Sequence, residues 1–474
     1  MFDSGKKEKK QYDLERLFHP RTIAVIGIPD DPAKFGGNAW INAMSQLGYS
    51  GEIYPISKKM KMYNGLKVYS SLDDVPSDID LAILCIPAQH THQTIQDCIK
   101  KRIKFVHLFS AGFGETGADQ GKKLEAGLIE LIGLSQTRIL GPNCMGIFSP
   151  GDGFCWRTDF PRFQGKAAFF SQSGWHSVEM VNQMRLKGDS LSKLVSYGNG
   201  YDLDEVDFLN YFARDHESKI IAGYIEGIKD GPGFLQALKK AAKIKPVVIL
   251  KGGRTKAGSR ASFSHTGSLA VESRIWDASI KQAGAISVAN FEEMVDTALG
   301  LLYINSVQNR NIAIIGSGGG PGVLSSDFCE QSGLHLPPVP EVLQTELHNI
   351  IPSIGTGIKN PFDLPLWAEA DLFCEAIRLI GAWSEIGLFI IQFEFESNLF
   401  FHGRQQVRRN NQRILEALTE IKKPVVVIMH TVGLHESVKI LMSEQKRFMD
   451  AGIPVISTIR NAVNMIQNLP LYTL

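Results

Sequence analysis

Apolar runs of strand length recur along the chain, each followed by a glycine-containing turn and then by residues with helical spacing of apolar positions. In the first third of the chain such runs occupy residues 22–27, 81–87 and 105–110. The same pattern returns later, at residues 167–170, 220–225, 246–250, 311–316, 424–429 and 454–456. Short buried strands that alternate with helices are typical of parallel sheets covered by helices on both faces. The pattern predicts an α/β protein made of doubly wound, Rossmann-like or flavodoxin-like, parallel-sheet domains.

The runs fall into three blocks that are separated by polar, turn-rich stretches. Residues 148–165 are rich in Gly, Pro and Asp, and residues 307–310 form a polar linker. At 474 residues the chain is too long for a single hydrophobic core. We therefore predict three domains, with boundaries at 1–148, 149–306 and 307–474.

Composition narrows the class of partner. The formal net charge is +1 and 21% of residues are charged, so no basic face for nucleic acid is indicated, and the basic run at residues 6–10 is interpreted as a solvated tail. The N-terminus is charged where a signal peptide is apolar, and no segment approaches the roughly 18 apolar residues of a membrane span. Six scattered cysteines without a C-x-x-C pair argue against a zinc site and against a disulfide framework. We expect a cytoplasmic protein with no metal site, no nucleic-acid partner and no membrane partner.

His265 is the most informative single residue. It lies within residues 252–268, a segment rich in Gly, Ser and Thr. Neutral imidazole is a good nucleophile near neutral pH, and the flanking hydroxyls and glycine N–H groups can bind phosphate oxygens. The segment predicts a nucleophilic histidine with phosphate-binding groups around it. The alternative is an ordinary histidine on a surface loop.

The first block opens with a turn at residues 27–37, between a buried-type strand and an amphipathic helix. Backbone N–H groups at such a turn form a natural phosphate site, to which Lys34 adds positive charge. The dinucleotide fingerprint G-x-G-x-x-G is absent, and Lys58 and Lys59 follow the second strand where NAD requires a carboxylate. These features favour coenzyme A, which carries an additional ribose phosphate. The alternatives are a structural turn without a ligand and an NAD(P)-dependent dehydrogenase.

The second block repeats the strand-to-helix turn at Ser171, Gln172, Ser173 and Gly174. A helix N-terminus rich in Ser and Gly points unsatisfied N–H groups at a ligand, which predicts a second phosphate site. A nucleophilic serine is the alternative, but the G-x-S-x-G pattern is not met. The turn is predicted to open a helix with apolar positions at Trp175, Val178, Val181, Met184 and Leu186.

Glu226 follows the apolar strand at 220–225, at the strand end where active-site groups of open α/β sheets gather. A carboxylate there could accept the Nδ1–H of a histidine and stabilise a cationic adduct on the other nitrogen. A plain solvated glutamate is the alternative. The acidic residues at 202–205 are interpreted as helix capping rather than as metal ligands.

Taken in order, these motifs resemble those of the nucleoside-diphosphate-forming acyl-CoA synthetases, in particular the α subunits of ADP-forming acetate–CoA ligases in the succinyl-CoA synthetase superfamily. The resemblance runs from about Leu14 to the C-terminus. It is carried by the motifs at residues 110–113, 141–146, 171–174, 198–199, 224–228, 251–255, 264–268, 318–322 and 360–364. The order and spacing of these motifs make the match specific.

The resemblance implies roles for individual residues. His265 is implied as the transiently phosphorylated residue and Glu226 as its partner. Phosphate binding is implied at the helix that begins at residues 171–174, and also at Asn143. Coenzyme A binding is implied on the first block, at Gly27, Pro29, Lys34, Phe35, Gly36, Pro87, Ser110, Ala111, Gly112 and Phe113.

The implied reaction interconverts acyl-CoA, ADP and phosphate with carboxylic acid, coenzyme A and ATP, through an acyl phosphate and a phosphohistidine. No stretch of the chain reads as an ATP-grasp domain. A separate ATP-grasp β subunit is therefore implied, which would bind ATP or ADP with Mg²⁺ in a hetero-oligomer. The rival function is a non-catalytic subunit that senses coenzyme A or acyl-CoA with the same fold.

Five residues depart from the family pattern. Pro29 removes a backbone donor at the coenzyme turn, and Trp175 and His176 replace small residues after the Ser-Gln-Ser-Gly motif. Gly200 stands where a Lys is common, and Val271 where a Gly is common. The acyl group, the nucleotide preference, the physiological direction and the subunit count stay open.

Overall fold

The structure, a computed structural model, describes residues 13–31, 33–260, 273–316, 318–352, 356–364 and 369–471, with the backbone alone at 435–436. These residues contain three large sheets, so the predicted α/β class is confirmed. The chain divides into two compact units. One unit comprises residues 1–181 and 190–287, and the other comprises residues 182–189 and 288–474. The first two sheets belong to the first unit and the third sheet to the second.

The first sheet is fully parallel, with the strand order β2-β1-β5-β6-β7. Its strands are β1 Thr22–Ile26, β2 Glu52–Ile56, β5 Leu81–Leu84, β6 Phe105–Leu108 and β7 Arg138–Leu140. A small antiparallel hairpin is formed by β3 Met62–Tyr63 and β4 Leu66–Lys67. The helices are α1 Glu15–Phe18, α2 Gly37–Leu47, α3 Thr91–Lys100 and α4 Asp119–Leu134. The central strands β5 and β6 are buried along their whole length and β1 is buried except at Thr22, as expected for a parallel sheet covered on both faces.

The second sheet has the order β13-β12-β11-β9-β10-β8. Its strands are β8 Gly146–Phe148, β9 Ala167–Ser171, β10 Leu191–Ser196, β11 Ile220–Ile225, β12 Val247–Lys251 and β13 Ile286–Val288. Strands β9, β10, β11 and β12 run parallel, whereas the edge strand β8 is antiparallel to β10. The helices are α5 Gly174–Leu186, α6 Glu205–Arg214, α7 Gly231–Ala242 and α8 Ser273–Gln282, and residues 256–260 are also helical.

The third sheet is again parallel, with the order β15-β14-β16-β17-β18. Its strands are β14 Ile312–Gly316, β15 Phe362–Asp363, β16 Leu388–Glu394, β17 Val425–His430 and β18 Val455–Ile456. The helices are α9 Phe291–Tyr303, α10 Gly319–Gln331, α11 Glu341–Ile350, α12 Ala370–Gly381, α13 Phe395–Thr419, α14 His435–Asp450 and α15 Ile459–Asn468. Helix α13 is kinked at Gly403, which has a φ of 70°.

Two predicted helices are present. Helix α6 begins with a capping box, in which the Asp204 side chain accepts bonds from the N–H groups of Val206 and Asp207, so the capping interpretation is confirmed for Asp204, whereas Asp202 pairs with Arg138. The helix predicted after the turn at 171–174 is α5, and its apolar residue Trp175 is 77% exposed. Leu186 is exposed as well. The buried face of α5 is set by positions 177, 180, 181 and 184, and residue 175 lies about 200° away from residue 177 around the helix.

No helix in the described part of the chain combines the length and apolarity needed to cross a bilayer. All six cysteines are free thiols, and five of them are buried.

Candidate active site

Two neighbouring strands of the second sheet bring the predicted catalytic and phosphate-binding residues together. Strands β9 and β11 are paired in parallel with Ser171 opposite Tyr224, so Gln172 and Glu226 follow at the same edge. The Gln172 N–H donates to the Tyr224 carbonyl at 3.2 Å. The carboxyl ends of parallel strands are where open α/β sheets place their ligands. The edge that carries Glu226 is therefore the candidate active site.

The Gln172 side chain holds the Glu226 loop. Its Oε1 accepts from the backbone N–H groups of Glu226 at 2.5 Å and Gly227 at 2.9 Å, and its Nε2 donates to the Gly227 carbonyl at 2.9 Å. All of these bonds are to backbone, so the amide fixes the position of Glu226. The sequence analysis predicted that Gln172 binds phosphate. It did not predict these bonds to the backbone of Glu226 and Gly227.

The two serines of the turn shape the start of α5. The buried Ser171 hydroxyl accepts from the Ser173 N–H at 3.0 Å and donates to the Ser173 carbonyl at 2.8 Å. The Ser173 hydroxyl accepts from the His176 N–H at 3.3 Å. Gly174 opens the helix in a crowded position, because a Cβ there would lie 2.8 Å from the Met145 side chain. The turn is a tight frame around a helix N-terminus, the geometry that binds anions.

The Glu226 carboxylate has a close neighbour on its own strand. The Tyr224 hydroxyl donates to Glu226 Oε1 at 3.2 Å. Lys251 Nζ donates to the Glu226 carbonyl at 2.7 Å and also to the Gly252 carbonyl. Burial lowers the pKa of Lys251. The end of β12, where the segment with His265 begins, thus lies directly beside Glu226.

His265 and Val271 lie outside the described residues. The flanks of their segment are described, and they meet. The Ser273 hydroxyl donates to the Arg254 carbonyl at 2.7 Å, and the Arg254 guanidinium pairs with Asp277 at 2.5 Å. The two described ends of this segment, at Arg254 and at Ser273 on α8, therefore lie next to each other.

Asn143 links the first two sheets. It follows the Gly141-Pro142 peptide, which is cis, and has a φ of 59°. Its N–H donates to the Ser110 carbonyl at 2.9 Å, and its side-chain amide donates to Asn199 Oδ1 at 3.4 Å. The predicted phosphate ligand thus joins the predicted coenzyme loop to the loop at residue 199.

A polar network that sequence reasoning missed surrounds that loop. Glu115 accepts from the Asn199 amide at 2.7 Å. Lys229 Nζ donates to the carbonyls of Asn199 at 2.7 Å and Gly200 at 3.0 Å, and it lies 4.2 Å above the Tyr201 ring. Lys229 thus places a positive charge beside Gly200. Its position three residues after Glu226, in the same loop, was the available signal.

The predicted coenzyme turn of the first sheet is built on glycines. Gly27 has a φ of 95°, and a Cβ there would lie 2.2 Å from the Cys85 carbonyl oxygen. A Cβ at Gly36 would lie 2.9 Å from the Pro29 ring, and the Gly37 N–H donates to the Gly27 carbonyl at 3.0 Å. The chain therefore packs backbone against backbone at the start of α2.

An exposed cation and an exposed aromatic ring stand on this turn. Lys34 is exposed, and the Phe35 ring is 57% exposed while its centroid lies 5.3 Å from that of Phe109. Nearby, Lys59 pairs with Asp30 at 2.7 Å. An ammonium group beside a flat apolar ring suits a ligand with phosphates and a heteroaromatic base. These residues fit coenzyme A.

The loop at 110–113 is more occupied than predicted. The Ser110 hydroxyl donates to the Ile86 carbonyl, and the N–H groups of Gly112 and Phe113 donate to Glu115 Oε1 at 2.7 and 3.1 Å. The Phe113 ring is buried in the core of the first sheet. Ala111 stays exposed, and Pro87 begins the short 3₁₀-helix Ala88–His90. A ligand here meets Ala111 and the rim of the loop rather than the Phe113 side chain.

In the second unit the motifs at residues 318–322 and 360–364 lie next to each other. The Gly318 N–H donates to Asp363 Oδ1 at 2.7 Å, and Gly318 has a φ of 104°. A cavity of about 160 Å³ is lined by both motifs. The glycine-rich start of α10 and the strand β15 thus form one feature of the third sheet.

Comparison with known proteins agrees with this geometry. The family described as "CoA binding domain" matches residues 21–150, and "Succinyl-CoA ligase like flavodoxin domain" matches residues 164–301. Over 367 residues the chain is 38% identical to the acetate–CoA ligase [ADP-forming] II subunit alpha of Pyrococcus furiosus, covering 77% of this chain and 79% of that protein. This chain belongs to the nucleoside-diphosphate-forming acyl-CoA synthetase family. The isoform I subunit alpha of the same organism is 37% identical over 370 residues, again 77% of this chain and 79% of that protein.

A solved structure supports the family membership over the whole chain. It is the acetyl-coenzyme A synthetase 1 of Ca. Korarchaeum cryptofilum in complex with phosphate and ADP, at 28% identity. The TM-score is 0.83, with 96% of each chain covered. The fold and the family predicted from the motifs are both confirmed.

Proposed function

We propose that this chain is the α-type subunit of an ADP-forming acyl-CoA synthetase. It would interconvert acyl-CoA, ADP and phosphate with a carboxylic acid, coenzyme A and ATP. One observation carries the proposal. Glu226 lies at the sheet edge where α5 begins, and Gly252, the first residue of the segment that contains His265, lies close to the Glu226 side chain.

The chemistry divides into three displacements. A phosphate oxygen attacks the thioester carbonyl carbon, the C–S bond breaks, and coenzyme A leaves as the thiol with an acyl phosphate as product. The His265 imidazole then attacks phosphorus, the P–O bond to the acyl group breaks, and the carboxylic acid leaves. ADP takes the phosphoryl group from phosphohistidine. A covalent relay replaces one difficult transfer by two easier ones.

Three groups would assist His265 in this scheme. Glu226 accepts the imidazole Nδ1–H and stabilises the positive charge of the phosphorylated ring. The start of α5 stabilises the phosphoryl oxygens with fixed donors and its dipole, which serve better than water that must reorganise. Asn143 contributes a side-chain amide at the junction of the first two sheets.

Coenzyme A would lie on the first sheet, across the turn at Gly27, Pro29 and Gly36 with its phosphates at Lys34 and its base near Phe35. The thioester end would then approach Pro87 and the rim formed by Ser110, Ala111, Gly112 and Phe113. The exposed cation and ring on the turn support this placement.

A partner would supply the nucleotide site. The Pyrococcus relatives are named as alpha subunits, which implies a second subunit. We propose that it carries an ATP-grasp domain with ATP or ADP and Mg²⁺, and that the assembly is a hetero-oligomer.

The deciding experiment is phosphorylation of the full chain with acetyl-CoA and labelled phosphate, read by mass spectrometry at neutral or alkaline pH because acid hydrolyses phosphohistidine. His265→Ala should abolish the label and leave coenzyme A binding intact, whereas the control His348→Ala, on α11, should label normally. Glu226→Gln should slow labelling by about a hundredfold. Label that persists in His265→Ala would place the acceptor elsewhere, and wild type that binds coenzyme A without label would favour a sensing subunit.

A further inference from the structure

Tyr224 and Glu226 form a pair on β11 and the residue that follows it. Side chains two residues apart on a strand project from the same face, which places the Tyr224 phenol next to the Glu226 carboxylate. The hydroxyl-to-Oε1 distance is 3.2 Å. The carboxylate expected to orient the phosphorylated histidine is therefore held by a tyrosine hydroxyl.

The Tyr224 ring is itself held in place. It is 8% exposed, and the His176 ring packs against it with a centroid distance of 4.3 Å. His176 Nδ1 lies 3.0 Å from Glu179 Oε2 on the next turn of α5. His176 on α5 thus supports the Tyr224 ring.

The segment that contains His265 begins close to this pair, at Gly252. A Cβ at position 252 would lie 2.5 Å from the Tyr224 hydroxyl and 3.3 Å from Glu226 Cγ. The φ of Gly252 is not positive, so the backbone itself accepts alanine. Glycine is required here because the Tyr224 hydroxyl occupies the space of a side chain.

The hydroxyl acts as a donor throughout the working pH range. Burial, and next the Glu226 carboxylate, raise the pKa of the Tyr224 phenol well above its usual value, so it stays protonated. Lys251, at the end of β12, lies beside Glu226, and its ammonium donates to the carbonyls of Glu226 and Gly252.

We propose that Tyr224 is a positioning residue for phosphoryl transfer, whose hydroxyl holds the Glu226 carboxylate in the orientation that receives the imidazole of His265. This inference rests on the proposed function. Without the hydroxyl, the carboxylate rotates away from that orientation, and the transferring geometry is reached less often. We expect the rate of histidine phosphorylation to fall about ten- to a hundredfold, the effect of losing one hydrogen bond to a charged group.

A double-mutant cycle on the full chain tests the proposal, with acetyl-CoA and labelled phosphate as probes. Tyr224→Phe keeps the ring against His176 and removes only the hydroxyl. It should slow labelling of His265 while the dependence on acetyl-CoA concentration stays the same. In the Glu226→Gln background the same change should have little further effect, because Tyr224 acts through that carboxylate. A role in folding alone would not give this non-additivity.

Tyr211→Phe is the matched control. Tyr211 lies on α6, outside this network, and its hydroxyl donates to Glu15 of α1 at 3.0 Å. It should label at the wild-type rate. Gly252→Ala provides a second variant that displaces the hydroxyl and leaves both side chains present, and it should be slowed as well.

Wild-type rates in both Tyr224→Phe and Gly252→Ala would overturn the inference while the relay itself stands, and so would additive losses in the cycle. Wild-type turnover without label on His265 would refute the relay and this inference together, a result that is distinguishable from the first.

Discussion

At the scale of single residues, the structure shows why certain positions accept one residue type only. Gly27 combines a positive φ with a backbone contact, while Gly48, the C-cap of α2, has a φ of 79° and open space around its Cβ position. Comparison of Gly27 with Gly48 separates two energetic costs that glycine avoids. The first is the strained left-handed backbone, and the second is collision with a neighbouring strand.

Replacing Gly48 by Ala should lower the free energy of unfolding by about 1–2 kcal/mol, the cost of the left-handed conformation alone. Gly27→Ala should lower it by about 3–5 kcal/mol, because overpacking against the Cys85 carbonyl is added. Urea titration followed by circular dichroism measures both. Equal losses would show that the contact between β1 and β5 relaxes easily.

Lys34 allows a test of the coenzyme site at the same scale. Lys34→Glu should weaken coenzyme A binding at least about tenfold, or 1.4 kcal/mol, because a cation near the phosphates becomes an anion. Isothermal calorimetry on the full chain measures this. Lys239→Glu, the same charge change at an exposed position of α7, should leave the affinity unaltered. A loss common to both variants would mean that net charge, not the turn, governs binding.

At the scale of elements, a few polar contacts hold the short helices in place. Helix α1 has four residues, and its C-cap His19 lies 2.5 Å from Asp152 in the 3₁₀-helix Pro150–Asp152. Glu15 and Glu217 lie within 4 Å of the other ring nitrogen. The hydrogen bond to Asp152 raises the pKa of His19 above its ordinary 6.5, although burial and Lys193 oppose the shift.

This shift predicts a pH dependence with a definite sign. A raised pKa contributes stability that is fully present below the unfolded value and is lost as pH rises through the folded value. The free energy of unfolding of wild type should exceed that of His19→Gln by more at about pH 6 than at about pH 9.5. Urea titrations at the two pH values measure the difference. A pH-independent difference would show that the contact is carried by the neutral ring.

Helix α5 ends in the second unit through a buried ion pair. Lys187 Nζ lies 3.2 Å from Asp296 Oδ1 on α9, and the two side chains are 8% and 1% exposed. Burial raises the pKa of Asp296, which shows that the carboxylate needs its partner. The pair fixes residues 182–189 to the unit that contains the third sheet.

Lys187→Met should therefore lower the free energy of unfolding by about 3–5 kcal/mol, because an unpaired carboxylate stays buried. The double change Lys187→Met with Asp296→Leu should recover most of the loss. Lys446→Met, in the exposed pair with Asp450 at 2.6 Å, should cost less than about 1 kcal/mol. A single variant as stable as that control would mean that water reaches Asp296.

At the scale of the whole molecule, the family matches cover a coenzyme-binding domain and a flavodoxin-like domain, and the three large sheets are parallel or nearly so. We expect the pure chain to form no thioester from acetate, coenzyme A and ATP. Addition of the nucleotide-binding subunit should restore it, as measured by thioester formation. Robust ATP-dependent synthesis by the single chain would contradict the division of labour.

The sequence alone determined what depends on local pattern. The predicted strand at 220–225 is β11 residue for residue, because an apolar run between turn residues has few other buried conformations. The parallel class then placed Glu226 and the 171–174 turn at one sheet edge, since helices that return each strand in the same direction gather the carboxyl ends. The ordered motifs identified the family, and His265 stays a prediction from that resemblance.

Only the tertiary structure decided how those residues are used, because the contacts join positions far apart in the chain. Gln172 bonds to residues more than fifty positions later, Glu115 takes the loop N–H groups and Asn199, and Lys229 reaches Gly200. No local pattern encodes such pairings. Trp175 is apolar and yet exposed, because the buried face of α5 depends on where the helix meets the sheet.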